Sequence, residues 1–146
     1  MNNEKISITI DADGNKFYKN SAGQLHRLDG PAIEYIDGST YWYKNAKWHR
    51  DDGPAITLSG GTKYWFKEGK KHRVGGPAVE FSDGENQWFH NGKRHRIDGP
   101  AVCHDIRSHY LWYRHGKSFK NKQEFFESLS NKQKEIAIFS EDFFKY

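Results

Sequence analysis

The sequence predicts a mainly β protein, an elongated antiparallel sheet of hairpin repeats closed by a C-terminal helical segment. Three observations carry this. One block is written four times at a constant spacing, turn residues recur between short runs of alternating side chains, and the repetition stops before two helix-start signals. The block is His26-Arg27-Leu28-Asp29-Gly30-Pro31-Ala32, with copies from His49 to Ala55, His72 to Ala78 and His95 to Ala101, a period of 23 residues. A fixed period of this size marks units that bury their apolar faces against neighbours rather than folding alone.

Taken in order, Ile6, Ile8 and Ile10 alternate with Ser7 and Thr9 as in a strand, and Asp13-Gly14 supplies a turn before Phe17 to Asn20. This is a degenerate first repeat, with Phe17 where later copies have Trp and Ser21-Ala22 lengthening the loop before His26. The second copy reads as a strand from Ala32 to Ile36, an Asp37-Gly38 turn, a returning strand from Thr40 to Lys44, and a loop from Asn45 to Gly53. The third and fourth follow the same plan through Gly60-Gly61 and Asp83-Gly84. In the fifth, Asp105-Ile106-Arg107-Ser108 replaces the glycine turn. Glycine in these turns is expected to supply the positive φ angles of two-residue hairpins. Pro31, Pro54, Pro77 and Pro100 lack an N–H and suit the first position of a strand. The small Ala32, Ala55, Ala78 and Ala101 stand beside large aromatics. Trp42, Trp65, Trp88 and Trp112 are expected on one face, with the tyrosines and phenylalanines beside them on the other. About ten short strands result.

From Lys117 the block stops, so residues 1–117 are read as repeats and 118–146 as a helical cap. Asn121 to Glu124 has the form of a capping box, Phe125 and Leu129 fall on one helical face, and Ser130 to Gln133 repeats the signal. Two short helices should cover the last sheet edge, with Phe143-Phe144 packed behind them.

Composition sets outer bounds. Hydrophobic content is only 35%, yet 16% of the residues are aromatic, which suits a thin sheet stabilised by large rings. The net charge of +4 is dispersed: residues 1–116 carry 17 Lys/Arg against 14 Asp/Glu. Cys103 is the sole cysteine, so no intramolecular disulfide forms, and a reducing, cytoplasmic setting is expected. No run of 18 apolar residues exists to span a membrane as a helix.

The run Trp88-Phe89-His90-Asn91-Gly92-Lys93-Arg94-His95, followed by a glycine and a turn, resembles the MORN repeat, which shares the period. Here His-Arg-x-Asp-Gly-Pro-Ala stands where that family has His-Gly-x-Gly, and this variant is similar to repeat proteins of bacteriophages and large DNA viruses. The resemblance covers residues 6–117. It implies one hairpin per repeat and a role in protein or lipid binding.

The chemistry of the block points to structure first. Equivalent residues one two-stranded repeat apart stand roughly 9.6 Å from each other, since strands lie about 4.8 Å apart. Successive block histidines therefore cannot share a metal. His26, His49, His72 and His95 are expected to hold the loops, and each arginine to pair with an aspartate of its own or the adjacent block; in the third block Gly75 replaces that aspartate. Arg27, Arg50, Arg73 and Arg96, with the four tryptophans, are the candidate binding residues. Cys103 and His104 are neighbours in a strand, point to opposite faces and make no catalytic pair. No cofactor or metal site and no catalytic constellation is read. The expected function is non-enzymatic protein binding, in keeping with a viral protein that modulates a host protein. The alternatives are a nucleotide or single-stranded nucleic-acid binder using the Arg and aromatic ladders, and a homo-oligomer formed through the first strand's free edge.

Overall fold

The computed structural model describes residues 5–104 and 106–145, the side chain of Phe144 excepted. The Phe144 side chain and Asp105, both part of the expectations above, thus lie outside what is described. By its contacts the chain divides into two compact units, Met1–Lys71 and His72–Tyr146.

In the first unit the strands are β1 (Ser7–Ile10), β2 (Lys16–Lys19), β3 (Ile33–Glu34), β4 (Thr40–Tyr41), β5 (Tyr43–Lys44), β6 (Lys47–Trp48), β7 (Ile56–Thr57), β8 (Lys63–Tyr64), β9 (Phe66–Lys67) and β10 (Lys70–Lys71). The main ladder runs β1-β2-β3-β4-β7-β8, every described pairing antiparallel. Two separate pairs, β5 with β6 and β9 with β10, complete the unit. The second unit repeats the plan with β11 (Val79–Glu80), β12 (Asn86–Gln87), β13 (Phe89–His90), β14 (Lys93–Arg94), β15 (Val102–His104), β16 (His109–Arg114) and β17 (Lys117–Phe119). Its main ladder is β11-β12-β15-β16-β17, with β13 paired to β14.

Two differences from the sequence reading have clear physical causes. The returning strand expected from Thr40 to Lys44 breaks at Trp42, so each full repeat holds two hairpins. The stretch from Asn45, expected as loop, is the turn and second strand of the extra one. That turn is of two residues with both φ angles positive: Asn45 (50°) and Ala46 (60°), Glu68 (49°) and Gly69 (77°), Asn91 (50°) and Gly92 (81°), His115 (49°) and Gly116 (86°). This is the turn whose twist matches paired strands.

The glycine turns of the main ladder are of another kind. Tyr35 N–H donates to Ser39 O (2.9 Å) and Gly38 N–H to Tyr35 O (3.0 Å), enclosing three residues of which only Gly38 has positive φ. Gly14, Gly61 and Gly84 occupy the same place. Asp37 bonds Ser39 N–H through its carboxylate (2.8 Å), which explains an aspartate one residue before the glycine. In the fifth copy Ser108 takes the positive φ (48°) without a glycine.

The cores are narrow. Ala32, Ala55, Ala78 and Ala101 have no exposed surface, so any larger side chain would overpack them. In the second unit Trp112 and Phe119 form a cluster with Phe125, Leu129, Ala137 and Phe143. Trp112 is therefore a core residue and not part of an open aromatic face. The helices are α1 (Lys122–Glu127), α2 (Asn131–Ile138) and α3 (Glu141–Lys145), one more than expected. Asn121 caps α1 by accepting from Glu124 N–H, and Ser130 and Gln133 form a reciprocal capping box on α2. Strand β17 carries the sheet past position 117, and α1 packs on β16 and β17. No helix among the described residues is long and apolar enough to cross a membrane.

Candidate functional site

Each element of the repeated block has a defined task. The histidine grips a turn further along the chain. Asn45 N–H donates to His26 Nδ1 (3.0 Å), Glu68 N–H to His49 Nδ1 (3.1 Å), Asn91 N–H to His72 Nδ1 (3.1 Å) and His115 N–H to His95 Nδ1 (3.2 Å). All four donors are the first, positive-φ residues of the extra hairpins, whose N–H would otherwise lack a partner in the turn. The second turn residue is also held: Ala46 N–H donates to Leu25 O, Gly69 N–H to Trp48 O and Gly116 N–H to Arg94 O, each 2.9 Å. A neutral imidazole has one acceptor and one donor nitrogen, so an accepting Nδ1 places the proton on Nε2. His49 uses that donor on Asp51, with Nε2 3.2 Å from Oδ2. Glu68 Oε1 lies 3.1 Å from the accepting Nδ1.

Arg27, Arg50 and Arg96 each lie over an aromatic ring. Arg50 Cζ stands 4.0 Å from the Trp42 ring centre, Arg96 Cζ 4.0 Å from that of Trp88 and Arg27 Cζ 4.1 Å from that of Tyr18. Tyr18 therefore fills the tryptophan position of the first repeat, not Phe17. The backbone agrees, since Tyr18 and Trp42 each donate to a block alanine (Ala32 O, 2.8 Å; Ala55 O, 2.7 Å). A guanidinium is planar, so it stacks by its face and bonds by its rim. Nε donates to Asp29 (2.9 Å), Asp52 (2.8 Å) and Asp98 (2.8 Å), and Nη1 reaches the carbonyls of Pro31, Pro54 and Pro100. These bonds hold the Asp29 and Asp52 carboxyls below the usual carboxylate range.

On its other side the guanidinium meets the block glycine. A Cβ on Gly30 would sit 2.5 Å from Arg27 Cζ, on Gly53 2.8 Å from Arg50 Cζ, on Gly76 3.0 Å from Arg73 Cζ and on Gly99 2.7 Å from Arg96 Cζ. None of these four glycines has positive φ. Glycine is required because the cation occupies the space of a side chain.

In the third block Gly75 replaces the aspartate, with φ +77°. Arg73 Nη1 instead donates to Glu80 (2.6 Å) and Pro77 O (3.0 Å). Arg27 makes the equivalent contact to Glu34 (2.9 Å) in addition to its aspartate. Trp65 is half-buried in the first unit. Cys103 and His104 are both buried on β15, and His104 Nδ1 accepts from Arg107 N–H (3.2 Å).

Two open grooves lie along the blocks. In the first unit one of about 490 Å³ is lined by Arg27, Leu28, Trp42, Arg50 and Asp52 among others. In the second unit one of about 550 Å³ includes Arg73, Val74, Trp88, His95, Ile136 and Asp142. Leu28 and Val74, the variable residues of the first and third blocks, are 66% and 82% exposed. The equivalent Ile97 of the fourth block is packed against the helical cluster. There Arg96 Nη2 donates to Asp142 Oδ2 (2.5 Å) and Ser140 Oγ to Asp98 O (3.1 Å).

The sequence reading missed an imidazole stack in the second unit. Ring centres of His72 and His90 are 4.8 Å apart, those of His90 and His95 5.7 Å, and His95 and His115 stack at 4.1 Å. His90 and His115 lie outside the block, and only the extra hairpins bring them to its histidines. No group of three or more potential ligands with metal-binding geometry occurs among the described residues. Burial, then the neighbouring His115 and His90, push His95 down to about 4.

No protein-family model matches the chain, and no curated protein matches it.

Two outcomes follow from this geometry. Gly99→Ala should cost about 1–3 kcal/mol in urea unfolding, because the guanidinium must leave its stack. Gly60→Ala, with open space around it and no positive φ, should stay within about 0.5 kcal/mol of the parent. In the unfolded chain His95 titrates near the ordinary value of about 6.5, so between there and about 4 the unfolded state binds the extra proton. Stability from the neutral His95 is thus complete above about pH 6.5 and falls as pH drops toward 4. Unfolding midpoints against pH should show that slope, and His95→Asn should reduce it.

Proposed function

We propose that the chain is a non-enzymatic protein-interaction module of MORN-like type, presenting the variable residues and aromatic-backed arginines of its blocks to a protein partner. The observation that carries this reading is the fourth block, where the chain's own C-terminal segment occupies that surface. Ile97 is packed against the helical cluster, and Asp142 reaches the stacked Arg96. An apolar contact on the variable residue together with a carboxylate on the guanidinium rim is a recognisable docking mode. The first and third blocks keep Leu28 and Val74 exposed beside Arg27 and Arg73. Arg and Trp are the residues enriched at binding hot spots, and the two grooves carry Arg27, Trp42 and Arg50 beside Leu28, and Arg73 and Trp88 beside Val74.

The arginines suit this role better than a nucleic-acid track. Arg27, Arg50 and Arg96 are each held by a carboxylate of their own block, so their charge is largely spent inside the protein. The likeness of the block variant to phage and large-DNA-virus proteins supports a viral protein acting on a host partner.

The test is capture from a lysate of the native host, with the immobilised chain and its variants Leu28→Asp and Val74→Asp. The parent should retain one protein in stoichiometric amount and the variants should lose it, with unchanged thermal midpoints. Turnover of a metabolite by the pure protein, or salt-sensitive oligonucleotide binding with no protein partner, would overturn the reading.

A further inference from the structure

Strand β1 forms one end of the ladder in the first unit, and its four residues are all exposed. Tyr18 donates its N–H to Ala32 O (2.8 Å) and its carbonyl accepts from His26 N–H (3.0 Å), so both its backbone groups face away from β1. Ile8 stands opposite Tyr18 in the register of β1 and β2. In an antiparallel ladder opposed residues alternate between exchanging both bonds and exchanging none. Ile8 therefore directs its N–H and C=O outward, and Ile10 and Ile6 share that parity. Ser7 and Thr9 face β2. The outward residues are also the apolar ones, with Ile8 59% and Ile10 65% exposed.

The segment Lys5-Ile6-Ser7-Ile8-Thr9-Ile10-Asp11 is complementary to its own reverse. We propose that β1 pairs antiparallel with β1 of a second copy, about a twofold axis through Ile8. This register opposes Ile8 to Ile8, Ile6 to Ile10, Ser7 to Thr9 and Lys5 to Asp11. Every outward residue meets an outward residue, so three pairs each exchange two hydrogen bonds. All the isoleucines fall on one face as cross-strand apolar pairs, and both ends place a cation against a carboxylate. A slip of one residue would oppose outward groups to inward ones and form no ladder. A slip of two keeps parity but sets Lys5 against Thr9 or Ser7 against Asp11, losing the charge match. The isologous contact closes on itself and covers an edge that would otherwise template further pairing. This inference is independent of the protein-binding reading above, which concerns the blocks.

The experiment is sedimentation equilibrium of the full chain across a wide range of concentration. The parent should show a reversible monomer–dimer equilibrium. Ile8→Pro removes an outward N–H and the isoleucine side chain, leaves the bonds of Ser7 and Thr9 to β2 in place, and should be monomeric with an unchanged circular dichroism spectrum. Lys5→Glu sets like charges opposite each other at both ends and should weaken association about tenfold. Ile8→Cys should cross-link to a covalent dimer with a short bifunctional thiol reagent, since bonded pairs stand about 5.5 Å apart at Cα. Ile6→Cys, opposite Ile10, should not. A parent that stays monomeric throughout would overturn the proposal, as would a dimer that survives Ile8→Pro or a cross-link as strong through Ile6→Cys.

Discussion

Everything distinctive in this fold depends on a backbone N–H finding an imidazole nitrogen. The extra hairpin of each repeat is closed by a tight turn whose first residue is Asn, Glu or His rather than Gly, in the left-handed region. L-residues enter that region at a cost, and here the N–H of each is received by the Nδ1 of a block histidine. The histidine thereby joins one block to the next hairpin. Within each unit this contact, with the backbone bonds of His and Arg, gives two-residue strands a fixed register that their few ladder bonds could not enforce.

The arginine sandwich is the second constraint and explains the remaining letters of the block. An aromatic ring lies below the guanidinium, a bare glycine backbone above, and an aspartate and a proline carbonyl at its rim. Proline, two residues before each of β3, β7, β11 and β15, brings no N–H to satisfy, and alanine enters a space that has no room for more. A packed cation in place of aliphatic side chains is how a chain with so little hydrophobic content holds together. The third position of the block, Leu28, Asp51, Val74 and Ile97, takes no part in the sandwich; Asp51 instead meets His49, and Ile97 packs against the helical cluster.

The repeat, its β character, the helical segment and the pairing of block arginines with block aspartates were legible in the sequence, because periodicity and turn chemistry are local. The second hairpin was not. Residues such as Lys47-Trp48 have no alternation to betray a strand, and Glu68 gives no hint of a left-handed turn. Tyr18 as the tryptophan equivalent was hidden by the lengthened loop after it, which shifts the count by one. The imidazole stack was invisible for a related reason, since His90 and His115 reach the block histidines only through hairpins that the sequence reading took for loops. Trp112 looked like its repeat mates in sequence, but the helical segment packs on it and makes it core.

The most direct test of this account reads the tautomers of the block histidines by long-range nitrogen–proton NMR at a pH where the imidazoles are neutral. His26, His49, His72 and His95 should each carry the proton on Nε2, with Nδ1 shifted as an acceptor. Protonated Nδ1 at these positions would contradict the clasp, because that nitrogen could no longer receive the turn N–H.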